Sequence, residues 1–423
     1  MKLSEIPKGF KTLLPEKAKK REYLINRIKE IVELWGYEPV VPPTIEFLDT
    51  FKLVDEKLED VSFKLVDRFT GRLLAVRPDF TPQIARIVAS SFKDDEPPFR
   101  FYYSGKVFRD SDEDREIFQF GFELIGVDER EADAEVVAVV VNVLRELGLK
   151  SFQIDIGHTE FLNSAVGELS IENRKEVVEI LSHKDFSGLE IFCDQNGIEG
   201  ERREKLRSLL ELYGKEEVFE RAEELFKSER VKRTINELKE VYGILKSYGF
   251  EKNVIFDLSE RRGMEYHTGI TFEVFHPLHG FSLGGGGRYN TLIEKFGRKL
   301  PATGIAVNVD ALQELLERKN SLNVKKKKDF YIVDLRKELQ TAYRIASELR
   351  NRGYSVSRDI VKRNYETSVK VAFKKGFKYV IVLNKEKEPK NLLFLSEEKF
   401  VPLPESTEEI LDSIEKLIMV ENM

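Results

Sequence analysis

The order of extended and helical segments constrains the fold of this chain more than any other feature of its sequence. Residues 63–77 contain two short runs joined at Thr70 and Gly71, a pattern typical of a β-hairpin. Residues 99–107 and 118–126 predict two further strands, which are joined by a charged, polar connection. Such an antiparallel order, with long helices between the groups of strands, favours an α+β fold over a doubly wound sheet.

Helical periodicity accounts for most of the remaining first part of the chain. Residues 15–37 predict an amphipathic helix, and residues 132–147 predict a second long one. From about residue 162 to about residue 250 the pattern is charge-rich with a 3.6-residue period, which predicts a helical insert between strands of the first sheet. Prolines in residues 38–46 forbid a central strand and predict a sheet edge or a subunit interface.

A polar, lysine-rich junction at residues 323–328 is the best domain boundary in the sequence. After it, residues 330–334 predict a strand, and the apolar run 379–383 is typical of a buried parallel strand. We therefore expect a first domain over residues 1–322 and a small α/β domain over residues 329–423.

Composition excludes several classes of function. The 423 residues carry a net charge of −6, far from the basic balance of a nucleic-acid-binding protein. Cys193 is the only cysteine, which excludes an internal disulfide and a zinc cluster and predicts a small buried thiol. The chain opens without a signal-peptide core, and no apolar run is long enough for a membrane span, so we expect a cytoplasmic protein.

Four stretches, each weak alone, are specific as a set: residues 77–86, 108–126, 262–269 and 283–312. Together they resemble the class II histidyl-tRNA synthetases over most of residues 1–320. The tail is similar to the anticodon-binding domain of those enzymes in length and in strand and helix order. The resemblance implies a class II synthetase-like antiparallel sheet flanked by helices, with a helical insert and a small C-terminal α/β domain.

The resemblance also implies a pocket for histidine, whose ammonium, carboxylate and imidazole each need a complementary group. Carried over position by position, Asp79, Thr81 and Gln119 hold the ammonium, Arg262 the carboxylate and Glu123 one imidazole nitrogen, while Tyr266, His267 and Tyr289 enclose the ring. Two positions depart from the synthetases, since Asp79 replaces a glutamate and His267 replaces a tyrosine. A histidine donates or accepts depending on its tautomer, which leaves the second imidazole contact open.

The half of the pocket that would bind ATP is poorer. Ala311 stands where the synthetases carry an arginine against the phosphates, and an alanine cannot stabilise the charge that develops during adenylate formation. The connection after Arg109 is shorter than in a synthetase and acidic, which repels phosphates. Arg109 itself either contacts phosphate or effector or pairs with a nearby carboxylate. Two cations, Arg115 and Arg288, remain candidates to replace the missing contact.

The combined pattern resembles the regulatory subunit of ATP phosphoribosyltransferase, a silent synthetase paralogue. The residues that carry this resemblance are 63–67, 77–86, 155–158, 183–185 and 301–304, together with Arg262, Tyr266 and His267. In that family phosphoribosyl transfer to ATP takes place on a short catalytic partner chain, at the first step of histidine biosynthesis, and histidine is the feedback inhibitor. The resemblance therefore implies no catalytic residue, metal or cofactor on this chain.

It further implies a hetero-oligomer with the short catalytic subunit, for which we expect a dimer of this chain through the edge near Pro42 and Pro43 and histidine as effector. Contact with tRNA is not expected. Two rival functions remain open, namely histidine–tRNA ligase itself and a stand-alone histidine-sensing or tRNA-binding module. Among the other histidines, His158 is expected to be structural, and His276 and His279 are expected to be exposed in a turn around Pro277.

Overall fold

The chain forms two compact units, Met1–Asn323 and Val324–Met423. A computed structural model describes residues 5–112, 114–167, 169–259, 264–322, 324, 328–336, 340–361, 363–384, 390–394, 399–404, 406, 409–414 and 416. No helix among these residues is long and apolar enough to cross a membrane.

The first unit is built on two sheets. Its described strands are β1 (Glu38–Pro39), β2 (Ile45–Phe47), β3 (Phe63–Val66), β4 (Leu73–Val76), β5 (Phe99–Phe108), β6 (Glu116–Ile125), β7 (Gln153–His158), β8 (Tyr213–Gly214), β9 (Val254–Asp257), β10 (Ile270–His276), β11 (His279–Arg288) and β12 (Ala302–Asn308). Nine of them form one sheet in the order β1-β5-β6-β12-β11-β10-β7-β9-β8, and the predicted hairpin β3-β4 joins β2 in a three-stranded sheet. The α+β class II synthetase-like fold is confirmed.

Pairing in the large sheet is antiparallel from β5 through β7, as the order of segments predicts. Two pairs near its ends, β1 with β5 and β7 with β9, are parallel, so the sheet is mixed. The proline-bearing β1 is an edge strand. This position suits proline, which has no backbone N–H to donate to a second neighbouring strand.

Helices cover the sheet and form the region between β7 and β9. They are α1 (Pro15–Leu34), α2 (Leu48–Lys52), α3 (Glu56–Asp60), α4 (Thr81–Ser91), α5 (Arg130–Glu146), α6 (Thr159–Ala165), α7 (Ile171–Ser182), α8 (Phe186–Gln195), α9 (Gly200–Leu209), α10 (Glu217–Leu225), α11 (Glu229–Ser247) and α12 (Val309–Arg318). Helix α5 is the most deeply buried, with a run of valines in the main core. Each fully buried valine contributes about 1.5–3 kcal/mol relative to exposure.

Side chains along the central strands point alternately to the two faces of the sheet, and one face packs in the core while the other lines a cavity. On β6, Phe120, Phe122 and Leu124 belong to the main hydrophobic core together with α5. The intervening Gln119 and Glu123 face the other side of the sheet, where they line a cavity. A shift of one residue in register would exchange these two sets.

The second unit is built on a smaller, five-stranded sheet. Its described elements are β13 (Phe330–Asp334), α13 (Gln340–Asn351), β14 (Val356–Arg358), α14 (Tyr365–Lys374), β15 (Tyr379–Leu383), β16 (Lys390–Phe394) and β17 (Lys399–Leu403), in the sheet order β14-β13-β15-β16-β17. Strand β15 is buried throughout and pairs in parallel with β13, as its apolar run predicts.

One expectation about a turn is wrong. His276 is buried rather than exposed, with 3% of its surface accessible. Strand β10 continues through this residue, which pairs with His279 across the hairpin, and the His276 ring accepts a hydrogen bond from the Leu278 amide. Pro277, between the two histidines, predicts a turn. It does not predict whether the residue before the turn stays in the sheet.

Candidate functional site

A cavity of about 320 Å³ lies against the face of the large sheet that is turned away from α5. Eight of the nine residues predicted for the pocket line it: Asp79, Thr81, Arg109, Gln119, Glu123, Tyr266, His267 and Tyr289. The ninth, Arg262, lies outside the described residues. The volume is in the range of small-molecule sites in proteins.

Glycines form the floor of this cavity because larger residues would collide with its polar groups. Gly304 pairs with Glu123 on the neighbouring strand, and a Cβ on Gly304 would come within 1.6 Å of Glu123 Oε2. Gly287 pairs with Gly304 on the other side, and a Cβ there would lie 2.6 Å from the Ile270 carbonyl oxygen. The glycine run therefore permits close packing of neighbouring strands, and it lies within strand β11 and not in a loop.

Glu123 is the acceptor at the centre of the pocket. Its Oε1 accepts hydrogen bonds from the Thr81 hydroxyl at 2.9 Å and the Tyr103 hydroxyl at 3.3 Å. Its Oε2 accepts one from the Tyr289 hydroxyl at 2.6 Å. Burial raises the pKa of Glu123 to about 7, because removal from water disfavours the charged form more than these hydroxyls stabilise it.

The sequence does not single out Tyr103 as part of this network. Its hydroxyl lies above Gly121, where a Cβ would come within 2.3 Å of it. Tyr103 and Gly121 are register partners on β5 and β6. If the register of these two strands had been known, the pairing of a tyrosine with a glycine would have indicated that Tyr103 belongs to the site.

Asp79 and Gln119 present side-chain oxygen atoms to the same cavity. Asp79 Oδ1 accepts from the Thr81 amide at 3.1 Å, and Oδ2 accepts from the Tyr266 hydroxyl at 2.9 Å. Burial raises the pKa of Asp79, and the nearby Arg109 guanidinium opposes that shift. The buried Gln119 Oε1 has no hydrogen-bond partner among the described residues. An orphaned acceptor beside a carboxylate suits an ammonium group.

His267 has a defined hydrogen bond on one side of its ring. Its Nδ1 accepts from the Met264 amide at 2.9 Å, and the ring packs against Tyr266 with 5.0 Å between centroids. Burial lowers the pKa of His267 to about 4, so the ring is neutral at physiological pH.

Ala311, where the resemblance expects an arginine, lies outside this cavity, in a neighbouring one that Lys17 and Arg21 also line. Ala311 is buried in the first turn of α12, where its amide is capped by the Asn308 side chain at 3.1 Å. The neighbouring Asp310 is held by Arg21 at 2.6 Å and by the Phe118 amide at 2.7 Å. Ala311 itself supplies no guanidinium, and the nearby Arg21 guanidinium is held by Asp310 and Gln313.

Neither candidate replacement is available to phosphates. Arg288 is 1% exposed and its guanidinium contacts the buried Asp133 carboxylate at 2.8 Å. Arg115 pairs with Asp110 at 2.5 Å and lies over the Phe63 ring at 4.6 Å. Arg109 donates through Nε to the Pro78 carbonyl at 3.2 Å and lies near Asp79, so it faces the amino-acid side.

His158 is structural, as expected. Its Nδ1 accepts from the Glu160 amide at 3.2 Å and its Nε2 lies 3.3 Å from Glu237. It does not line the cavity. The site can therefore bind an amino acid through complementary polar groups, but its geometry supplies little to activate a carboxylate with ATP.

Known proteins that are similar to this chain include histidyl-tRNA synthetases and ATP phosphoribosyltransferase regulatory subunits. A family model described as histidyl-tRNA synthetase matches residues 9–312. The chain is 36% identical to the ATP phosphoribosyltransferase regulatory subunit of Syntrophotalea carbinolica, over 89% of this chain and 90% of that protein. A crystal structure from Bacillus halodurans, described as an ATP phosphoribosyltransferase regulatory subunit/histidyl-tRNA synthetase, is 31% identical with a TM-score of 0.82, covering 90% of this chain and 99% of that one. The histidine–tRNA ligase of Thermococcus kodakarensis is 34% identical over 96% of this chain and 98% of that enzyme.

Proposed function

This chain belongs to the histidyl-tRNA synthetase family and, within it, to the ATP phosphoribosyltransferase regulatory subunits, and from this premise we propose that its pocket binds histidine as an effector. As a regulatory subunit it acts with a catalytic ATP phosphoribosyltransferase chain, and phosphoribosyl transfer does not take place on it. Its proposed setting is the cytoplasm, where it takes part in the first step of histidine biosynthesis.

The observation that carries the proposal is the asymmetry of the cavity. Its amino-acid side holds Asp79, Glu123 and the orphaned Gln119 Oε1 in one buried space. Ala311 stands in a neighbouring cavity where the synthetases carry an arginine, and Arg115 and Arg288 both pair with carboxylates. Such a pocket retains recognition of histidine while losing the electrostatic stabilisation that adenylate formation requires.

The proposed mechanism is linkage between this pocket and the catalytic partner. Binding of this chain favours the active arrangement of the partner, and histidine favours a different state of the assembly. A coupling free energy of about 1–3 kcal/mol between the two sites is typical and would produce effective feedback. By reciprocity, the substrates of the partner would weaken histidine binding by the same factor.

A second copy of this chain is the proposed neighbour at the proline-bearing edge. Val41 is 92% exposed there, and Ile45 and Leu73 expose further apolar surface on the adjoining small sheet. Gln83 donates to the Pro43 carbonyl at 2.8 Å, while its buried Oε1 lacks a partner among the described residues. Apolar exposure beside an unsatisfied buried acceptor is typical of a surface completed by association.

Two measurements test the proposed function. Isothermal titration calorimetry with the full chain should detect histidine binding, and Gln119→Leu should weaken it because the ammonium loses an acceptor. Co-expression with a short ATP phosphoribosyltransferase should yield a complex whose activity exceeds that of the catalytic chain alone and falls on addition of histidine. Absence of both complex and activation would refute the regulatory role.

A second candidate function, histidine–tRNA ligase, is favoured by the match to the Thermococcus enzyme, which extends over nearly the whole chain. The charge distribution agrees, since residues 324–423 carry 21 Lys and Arg against 16 Asp and Glu while the whole chain carries 69 against 75. A histidine-dependent exchange of pyrophosphate into ATP by this chain alone would establish it. We expect no exchange, because Ala311 stands where the synthetases carry an arginine.

A further inference from the structure

A second cavity, of about 360 Å³, lies in the helical region between β7 and β9 and is called here the insert cavity. Its lining comes from the end of α6 and the residues after it, from α9 and the stretch before it, and from the end of α10 and its connection to α11. None of the described residues that line it also lines the cavity over the large sheet. Its volume is in the range of small-molecule sites.

The floor of the insert cavity is apolar. Val166, Ile198 and Leu206 belong to the main hydrophobic core and are at most 6% exposed. Phe226 is partly buried against the same core, and its ring meets the Phe161 ring edge-on at 5.9 Å between centroids. A ligand with an apolar body would remove this floor from water, which favours binding.

The charged residues that line the insert cavity are all cations. They are Arg202, Lys205 and Lys227, and no Asp or Glu is among the described lining residues. These three side chains are more exposed than the floor, so they lie at its mouth. Lys205 bonds Glu201 at 2.8 Å, and this bond, with a smaller contribution from Lys227, lowers the pKa of the Glu201 carboxyl. A chain with a net charge of −6 therefore presents a positive mouth over an apolar floor.

A hydroxyl group in the same cavity is available to a ligand. Ser164, in the last turn of α6, lines the cavity, and its buried Oγ has no hydrogen-bond partner among the described residues. Buried polar groups in proteins are normally paired. A carboxylate oxygen accepts from a hydroxyl and is attracted by cations, so it complements both features of this cavity.

We propose that the insert cavity binds a small organic monocarboxylate, with its apolar body on the floor and its carboxylate between the cations of the mouth and the Ser164 hydroxyl. This ligand is distinct from histidine, whose polar ring would bury its nitrogen atoms against apolar side chains. The inference goes beyond the proposed function and does not rest on it, because the two cavities share no described lining residue.

Three probes with the same apolar body and different heads test the proposal on the unsubstituted chain: octanoate, 1-octanol and octylamine. At about pH 8 the carboxylate and the ammonium group both carry their charge. Calorimetry should show octanoate binding about tenfold or more tightly than octylamine, with octanol between them, because the mouth attracts one head and repels the other. No binding of octanoate, or equal affinities for octanoate and octylamine, would overturn the inference.

Substitutions at the mouth test the part played by its charge. Lys227→Glu should weaken octanoate binding about two- to fivefold, the range expected for an exposed charge. Combining it with Lys205→Glu should abolish the preference for octanoate over octylamine. The matched control is Lys150→Glu, which makes the same charge change at an exposed position outside the lining and should leave octanoate binding unchanged. An equal loss in the control would show attraction by the general charge of the protein and would contradict a specific mouth.

A substitution that fills the cavity locates the bound probe. Ala165, the last residue of α6, lines the insert cavity, and Ala165→Leu should weaken all three probes more than about tenfold because the added carbons occupy their space. Circular dichroism checks that this variant is folded, and its affinity for histidine should match that of the unsubstituted chain. Octanoate binding that survives Ala165→Leu, or that histidine displaces from the unsubstituted chain, would place the probe elsewhere and refute this inference. Absence of histidine binding with intact octanoate binding would refute the proposed function alone.

Discussion

Gly304 determines whether Glu123 can occupy the centre of the pocket. In Gly304→Ala the added methyl would lie 1.6 Å from Glu123 Oε2, so the carboxylate must move and lose its bond from Tyr289. We expect histidine affinity to fall more than about tenfold and the free energy of unfolding to fall by about 1–3 kcal/mol. Calorimetry and chemical denaturation measure the two effects.

A matched control for this change is Gly243→Ala, on the exposed side of α11, where an added Cβ meets nothing within 4 Å. The same methyl there should leave histidine binding unchanged and raise stability by up to about 1 kcal/mol, because alanine favours a helix over glycine. Equal binding by both variants would contradict the role given to Gly304.

Glu123 makes stability depend on pH in a direction opposite to that of an ordinary paired carboxylate. Burial raises the pKa of Glu123 in the folded chain to about 7, from the 4.5 of a glutamate in water. Between these values the native state holds a proton that the unfolded chain releases, so the free energy of unfolding decreases as pH rises through this window and then levels off. The contribution is about 3 kcal/mol at most, from about 1.4 kcal/mol for each pKa unit.

The Glu123→Gln variant isolates this contribution, because glutamine does not titrate and keeps a similar shape. Relative to the unsubstituted chain, the variant should gain stability steadily between pH 5 and pH 7, with no further gain above about pH 7.5. Chemical denaturation at a series of pH values measures the difference. A constant difference across the series would show that the Glu123 carboxylate is not held near neutrality.

Among the helices and strands, those whose formation depends on nearby residues were predictable from local sequence patterns. The hairpin β3-β4 follows from its turn residues, α1 follows from its apolar stripe, and the edge position of β1 follows from its prolines. Registers between paired strands were not predictable from such patterns. They place Tyr103 above Gly121, for example, because contacts across the sheet and not neighbours in sequence select the pairing.

The pocket residues were predictable for a different reason. Resemblance to a family carried them over as a set, and eight of them line one cavity. The hydrogen-bond roles of those residues did not follow, since a sequence does not determine a histidine tautomer or the pKa of a buried carboxylate. Burial of His276 was missed because a strand continued past the point where the proline predicted a turn.

We expect two separate features to weaken ATP binding, the alanine at position 311 of α12 and the acidic loop after Arg109. Changing only one of them should therefore not restore activity. Ala311→Arg returns a cation to the first turn of α12, but Asp110, Asp112 and Asp114 remain in the loop. We expect this variant to show no pyrophosphate exchange. Adding Asp→Asn changes at the three loop positions should make ATP binding measurable by calorimetry, because three negative charges are removed.

The control for this experiment is the loop variant without the arginine, which separates loss of repulsion from gain of a contact. Tighter ATP binding in the combined variant than in the loop variant would support the missing guanidinium as one of two defects. Robust exchange by Ala311→Arg alone would contradict the view that the loop is also impaired.

For the whole molecule, the buried polar groups of the cavity bear on how a ligand could shift an assembly. Buried acceptors such as Glu123 are costly to maintain in an empty pocket, as the raised pKa of this residue indicates. A ligand that donates to them recovers part of that cost, which makes the occupied and empty states differ in free energy. A regulatory subunit needs such a difference, because a ligand shifts an assembly only by as much as it distinguishes its states.

Association of two copies should depend on the apolar surface beside Pro42 and Pro43. Ile45, 46% exposed on β2, is next to this edge, whereas Ile191, 57% exposed on α8, lies in the helical region between β7 and β9. Ile45→Asp should weaken the dimer by about 2–4 kcal/mol if it lies at the centre of the interface, because a carboxylate would be buried without a partner. The matched change Ile191→Asp should leave the dimer intact.

Sedimentation equilibrium of the two variants measures the strength of the dimer directly, with histidine binding as a check that each pocket is preserved. Because this surface lies outside the cavity, an Ile45→Asp protein that is monomeric but still binds histidine would separate assembly from effector recognition, and a dimer unaffected by Ile45→Asp would exclude this edge as the interface.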